Sequence, residues 1–319
     1  MKTFLRGCAA TAAAALALSL AALPAAADDL TPPEGSTPVV GMAVEPGTSQ
    51  LWLAGPAADS GTFVNAETGD TWSFGGDPDN VQALAWSEGR LWVGDIGDPE
   101  AGRDFVVIFR LGPPEGDRST YHAFDFEYED GARDARAMLI SGRGNIYIVT
   151  TGEDPGIYRA PSEPSRQSMN TLTRVADAPE GVSDGVFLTD GATMALRTAT
   201  GIEYVDAFSW ETLVTDTITG APEGESITVD QDDQVFVGGN PTIRTEEVPA
   251  SDTTTAVTPA PTASPSPTAP ATAAPSATPS AEAEAEHSKQ PTRTGTWFAL
   301  GMAALLAVAA GAVTFIVRK

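Results

Sequence analysis

The sequence predicts an all-β fold: a β-propeller of about five blades, followed by a disordered Pro/Thr/Ala-rich stalk and one transmembrane helix. Three observations predict it. A strand–turn–strand pattern recurs with starts at Met42, Leu84, Ala137, Gly185 and Ser226, at the spacing of propeller blades. No long amphipathic helix pattern interrupts residues 28–245. Beyond that point the composition shifts abruptly to Thr, Pro, Ala and Ser.

The clearest copy is NVQALAWSEGRLWVGDIGD, Asn80 to Asp98. Val81 to Trp86 and Leu91 to Gly94 are dense in β-branched and aromatic residues, and Ser87-Glu88-Gly89-Arg90 between them is a polar turn. The other copies are MAVEPGTSQLWLAG, AMLISGRGNIYIVT, GVFLTDGATMALRT and SITVDQDDQVFVGG. One blade cannot bury its own apolar faces; in a ring each blade covers the next. An open β-sandwich also gives short strands at regular intervals, but five matching hairpins exceed what it requires.

Outer strands follow each hairpin in turn. They are Thr62 to Val64 and Thr71 to Phe74, Phe105 to Arg110 and Tyr121 to Tyr128, Gly156 to Arg159 and Leu172 to Val175, and Gly201 to Val205 and Thr212 to Thr215. Tyr121 to Tyr128 alternates apolar and polar residues, as a half-exposed strand does. The fifth hairpin is followed only by Thr242 to Val248, so a segment from the N-terminus is expected to complete that blade and close the ring.

The ends carry an address. Residues 1–27 read as a signal peptide, with Lys2 and Arg6 before an Ala/Leu run and Ala25-Ala26-Ala27 before Asp28. Cys8, the sole cysteine, lies early in that run and would be discarded with it. Residues 28–245 form the propeller ectodomain and residues 246–295 the stalk. The 47 residues from Glu246 to Thr292 would span roughly 35–40 Å as a coil. Residues 296–317 carry no charge and suffice to cross a bilayer, and the basic tail 318–319 predicts a cytoplasmic C-terminus. The expected location is the cell membrane, single-pass, with the propeller outside. Pro291 to Gly295 loosely resembles a sortase sorting signal, so covalent linkage to the cell wall is the alternative.

Residues 28–245 hold 37 acidic residues against 12 arginines and no lysine. That surface repels nucleic acid and anionic lipid. It also keeps an exported domain soluble, and no dense acidic cluster argues for more.

Gln82, Arg136, Asp184 and Glu225 stand at the starts of the inner strands, facing the axis or its rim. They read as a polar ring for a cation or small ligand, or as a neutralised cluster in which Arg136 pairs with Asp184 or Glu225, since unpaired buried charge is costly. The second reading is favoured: an arginine in the ring repels a cation, so no tight calcium site is expected at the axis. Asp95, Asp98 and Asp104 cluster after the second strand of the organising hairpin. Their oxygens would suit calcium, yet D-I-G-D lacks the alternation of a calcium loop and reads better as a turn, braced by Arg103 pairing with Asp98. His122 is the one histidine in the propeller region and has no nucleophile motif beside it. Trp52, Trp92 and Tyr147 hold matching hairpin positions and read as packing between blades.

Leu91 to Asp98, Asp134 to Ala137, Ser183 to Gly185 and Glu223 to Ser226 together resemble a group of exported actinobacterial β-propeller proteins. These carry LWVGDIGDN-like, DAEAL-like, TDG-like and QGES-like segments in this order, and are distantly similar to propeller phytases. The resemblance implies the fold and, through the phytases, a calcium-assisted phosphoesterase. Pro99, Arg136 and Gln82 depart from the acids or amide expected there and weaken a metal-binding centre. The function expected is a membrane-anchored, non-catalytic binding module at the cell envelope, with an envelope protein or small ligand as partner and no cofactor. A calcium-assisted hydrolase is the alternative.

Overall fold

The computed structural model describes residues 29–113 and 118–257. The segments read as signal peptide (1–27) and span (296–317), and most of the segment read as stalk, lie outside the described residues. Among the described residues, no helix is long and apolar enough to cross a membrane.

Twenty strands and one short 3-10 turn make up this part of the chain. The first sheet runs β1 (Gly41–Glu45), β2 (Gln50–Ala54), β3 (Thr62–Asn65), β4 (Thr71–Ser73). The next is β5 (Val81–Ser87), β6 (Arg90–Asp95), β7 (Val106–Leu111), β8 (Tyr121–Tyr128), and then β9 (Ala135–Ile140), β10 (Ile146–Thr150), β11 (Gly156–Arg159), β12 (Asn170–Asp177). After these come β13 (Asp184–Phe187), β14 (Thr193–Arg197), β15 (Gly201–Asp206) and β16 (Thr212–Thr219). The last group is β17 (Ser226–Val229), β18 (Val235–Gly238) and β19 (Ile243–Glu246). Within each group neighbours in sequence pair antiparallel, so every group is a meander.

The first strands lie side by side in a ring: β1 beside β5, β5 beside β9, β9 beside β13, β13 beside β17, and β17 back beside β1. This is a β-propeller arrangement. Side chains alternate along each strand, so both faces of a blade are buried against its two neighbours. In β6, Leu91 and Val93 pack toward the first sheet, while Trp92 packs toward the third. Each pair of neighbouring sheets thus shares its own apolar core, including the last and the first, where Met42, Leu51 and Leu53 meet Ile243. At Gly41 the approach is close. A Cβ there would stand 2.8 Å from the backbone nitrogen of Leu84, so glycine lets β1 lie against β5.

The ring is fastened at its ends. Leu30 and Ile243 exchange both backbone hydrogen bonds at 2.9 Å, so an N-terminal residue completes the last sheet, as the short fifth repeat requires. Two edges differ from the sequence reading. β8 and β12 pair parallel along the outer rim, joining two sheets. A strand β20 (Thr253–Ala256) pairs parallel with β16, inside the segment read as stalk. Thr255 Oγ1 donates to Asp216 there at 3.0 Å, so threonines of a low-complexity stretch finish an exposed edge.

Candidate functional site

Because each sheet is a meander, the axis has two distinct ends. The first strands begin at one end; the turns joining first to second strands cluster at the other. The two ends differ in chemistry.

At the beginning end, a cavity of about 340 Å³ is reached by every first strand or the residue leading into it, with Val40, Gln82, Arg136, Ser183 and Glu223 on its wall. Of the four ring candidates, Gln82 and Arg136 line it. Asp184 and Glu225 do not: both are turned into the seam between the β13 and β17 sheets and are 1% exposed. Nor does Arg136 pair with either of them, which corrects the sequence expectation. Its partners are Asp134 Oδ2, through Nε at 3.1 Å and Nη2 at 2.9 Å, and Gln82 Oε1, through Nη1 at 3.0 Å.

Those contacts belong to a closed circuit. Gln82 Nε2 donates to Asn80 Oδ1 at 2.5 Å, and the Asn80 amide donates to Asp95 Oδ1 at 2.8 Å. Asp95 also receives both terminal nitrogens of Arg103, at 2.9 and 3.1 Å. The Arg103 amide donates to Asp98 Oδ2, and the Asp98 amide to Asp134 Oδ1, which returns the circuit to Arg136. Gln82 and Arg136 of the axial candidates and Asp95 and Asp98 of the loop candidates are therefore one network. Burial alone would lower the Arg103 guanidinium, but the Asp95 hydrogen bonds reverse this and raise it above its ordinary value. Arg103 thus braces the loop by pairing with Asp95, where the sequence suggested Asp98. Asp98 instead caps the turn, taking the amides of Gly102 and Arg103. Asp104 is exposed and stands apart from both. Among the described residues no three His, Cys, Asp or Glu side chains form a group suited to a metal ion.

The acids withdrawn into the seam have firm partners. Glu225 Oε2 receives Arg197 at 2.7 Å, and Glu225 Oε1 receives Arg244 at 2.6 Å. Arg197 is 2% exposed, and its Nη1 also donates to the carbonyls of Thr198 and Gly201. Burial would lower the Arg244 guanidinium; the bonds to Glu225 hold it above its usual value. Asp184 has no cation. Its oxygens accept the amides of Gly185 at 2.8 Å and Ile227 at 3.0 Å. Burial pushes its pKa well above the carboxylate range despite those amides. Sequence reasoning missed Arg197 and Arg244. The available signal was an arginine ending the apolar run Met194-Ala195-Leu196, since such a charge must find a buried partner.

At the turn end, the axis opens into a cavity of about 190 Å³ to which all five first strands contribute. Its wall includes Leu84, Trp86, Met138, Ile140, Val186 and Phe187. Asp230 stands at this mouth, but its Oδ1 is engaged by the amides of Asp232 and Gln234. The axis thus carries a closed hydrogen-bonded circuit at one end and, at the other, a mixed wall in which Thr189, Thr228, Asp230 and Gln231 stand among the apolar side chains.

His122 lies on β8, where its Nδ1 stands 2.9 Å from Arg110 Nη2. Partial burial and the nearby arginines Arg166, Arg110 and Arg90 lower its pKa. Neutral, it accepts from Arg110, whose guanidinium also rests over the rings of Trp92 and Phe124.

No family model matches the chain, and no curated protein does. Solved structures do show likeness. A streptogramin B lyase aligns at 10% identity and TM-score 0.41, covering 70% of this chain and 73% of its own. The virginiamycin B lyase of Staphylococcus aureus aligns at 13% identity and TM-score 0.39, covering 70% and 74%. The PQQ-bound aldose sugar dehydrogenase of Streptomyces coelicolor aligns at 9% identity and TM-score 0.41, covering 69% and 96%. At such values the likeness transfers no residue and no reaction to this chain.

Proposed function

We propose that this chain is a non-catalytic binding module, a five-bladed propeller held outside the cell membrane by residues 246–295 and a single span at 296–317. Its ligand is a small apolar molecule, or an apolar side-chain cluster of a cell-envelope protein, seated at the turn end of the axis. The observation that carries this reading is the cavity shared by all the first strands, where Leu84, Met138, Val186 and Phe187 offer apolar surface beside the polar groups of Thr228, Asp230 and Gln231. A concave wall that mixes apolar side chains with a few polar groups suits a ligand bound by desolvation and oriented by hydrogen bonds. The hydrolase alternative needs carboxylates free to hold calcium. Asp95, Asp184 and Glu225 are already engaged, by Arg103, by two amides and by two arginines.

The test uses the purified full-length protein and a variant, Val186→Phe, that fills the cavity. Capture of envelope components by the parent should be lost in the variant at an unchanged unfolding midpoint. Capture that survives the variant would remove the axis as the site. Calcium-dependent turnover of phosphoesters would remove the non-catalytic reading.

A further inference from the structure

The turn between the third and fourth strands is built the same way in the first and fourth groups. In the first, Asn65 Oδ1 accepts the amides of Glu67 and Thr68, and Asn65 O accepts the amide of Gly69. In the fourth, Asp206 Oδ1 accepts the amides of Phe208 and Ser209, and Asp206 O accepts the amide of Trp210. Trp210 therefore occupies the place of Gly69. Both are left-handed, at φ 75° for the glycine and 64° for the tryptophan. Glycine adopts that conformation freely, whereas a bulky side chain is strained in it. Of the described non-glycine residues with positive φ, Trp210 is the one aromatic.

What the strained residue provides is a wall. Trp210 stands edge-on to Tyr147, with centroids 6.0 Å apart, and Phe208 beside it is 68% exposed. Across from them are Arg159, held over the Tyr147 ring and bonded to Asn145 Oδ1 at 3.1 Å, and Arg143 from the β9–β10 turn. These groups enclose about 280 Å³. That is slightly under the roughly 300–1,000 Å³ of typical ligand pockets and suits one sugar unit better than a large cofactor.

This cleft gathers two arginines without a carboxylate partner, a state shared among the described residues by Arg90, Arg110, Arg118 and Arg166. Arg103, Arg133, Arg136, Arg174, Arg197 and Arg244 each have a carboxylate partner. Arg143 and Arg159 have none among the described residues, although acids outnumber arginines about threefold. The nearby carboxylates Asp190 and Asp206 are turned to backbone amides of their own turns.

We propose that this cleft binds an acidic sugar, with its ring against Phe208 and Trp210 and its carboxylate at Arg143 and Arg159. The exposed Phe208 ring and the half-buried Trp210 suit the C–H faces of a pyranose, and Asn145 offers a polar partner for its hydroxyls. A guanidinium matches a carboxylate in a two-pronged fit, which selects the acidic sugar over its neutral counterpart. Phe187 is a common wall between this cleft and the axial cavity, but none of the groups proposed to hold the sugar lines that cavity.

The experiment titrates the full-length protein with glucuronate, galacturonate, glucose, galactose and acetate, reading tryptophan fluorescence and heat. At least one uronate should bind, and its neutral counterpart and acetate should each bind about tenfold more weakly or worse, the scale of one lost charge-assisted hydrogen bond. Arg143→Gln and Arg159→Gln should erase the preference for acid, and Phe208→Ala should weaken both sugars. Trp210→Gly should lose binding while relieving the turn. Val186→Phe should leave uronate binding intact, which separates this site from the axial one. The proposal is overturned if no uronate binds, if the neutral sugar binds as tightly, or if Phe208→Ala and the arginine variants bind like the parent.

Discussion

Asp184 accepts the backbone amide of Ile227, 43 residues further along the chain, across the seam between two neighbouring sheets. Its other oxygen takes the amide of Gly185. Asp134 does the same for the amide of Asp98, and Asp59 for that of Val81. Carboxylates, buried at Asp184, half-buried at Asp134 and exposed at Asp59, thus tie blade to blade. Asp184→Ala should leave the Ile227 amide unsatisfied and cost about 1–3 kcal/mol, measured by urea unfolding.

The same residue predicts a pH dependence with a definite sign. Burial raises its pKa in the fold above the unfolded value. Its contribution is full below the unfolded pKa, where both states hold the proton, and declines as pH rises through the raised value. The stability gap between parent and Asp184→Ala should therefore narrow from acid to alkaline buffer. A gap that widens would reverse the assignment.

Two ion-pair sites should behave differently. Glu225→Gln strands Arg197 and Arg244 in the seam and should cost about 3–5 kcal/mol, as breaking a buried pair does. Arg136→Gln leaves a side chain that is already 32% exposed, and the change should cost less than about 1 kcal/mol. Denaturant midpoints of the two variants, taken side by side, check both values.

Trp92 is 7% exposed and stacks on Phe124, with centroids 6.0 Å apart. Trp92→Ala should cost about 3–5 kcal/mol by opening a cavity between the second and third sheets. A loss under about 1 kcal/mol would show that the ring is not buried.

Ring closure rests on Leu30, whose amide and carbonyl both serve Ile243. Leu30→Pro removes that donor. It should lower the unfolding midpoint and expose the outer edge of β19, visible as self-association at raised concentration. A variant with the parent's midpoint would place closure elsewhere.

Much of the fold was legible because its signal is local. Phe124 to Tyr128 alternates apolar and polar residues, and β8 occupies Tyr121–Tyr128 as read. The hairpins at Leu51, Leu91, Ile146, Met194 and Val235 became β2, β6, β10, β14 and β18. The polar partnerships were less legible because they depend on which way a side chain turns. Gln82 and Arg136 point into the axial cavity, while Asp184 and Glu225, at the same place in their repeats, turn into a seam. Arg244 reaches Glu225 from a strand 19 residues later, a distance no spacing rule encodes. The Trp210 turn was legible in principle, since aligning Asn65 to Gly69 with Asp206 to Trp210 exposes the exchange of glycine for tryptophan.

The strand β20 changes how the domain meets mechanical load. A pull on the chain beyond residue 257 arrives first at the four-residue pairing of β20 with β16, from Asp216–Thr253 to Thr219–Ala256. Parallel strands pulled along their axis must shear several bonds together rather than unzip them singly. The Leu30–Ile243 clasp sits on a different sheet and bears tension only once β20 has torn free. The threonine strand would therefore meet such a load before the clasp does.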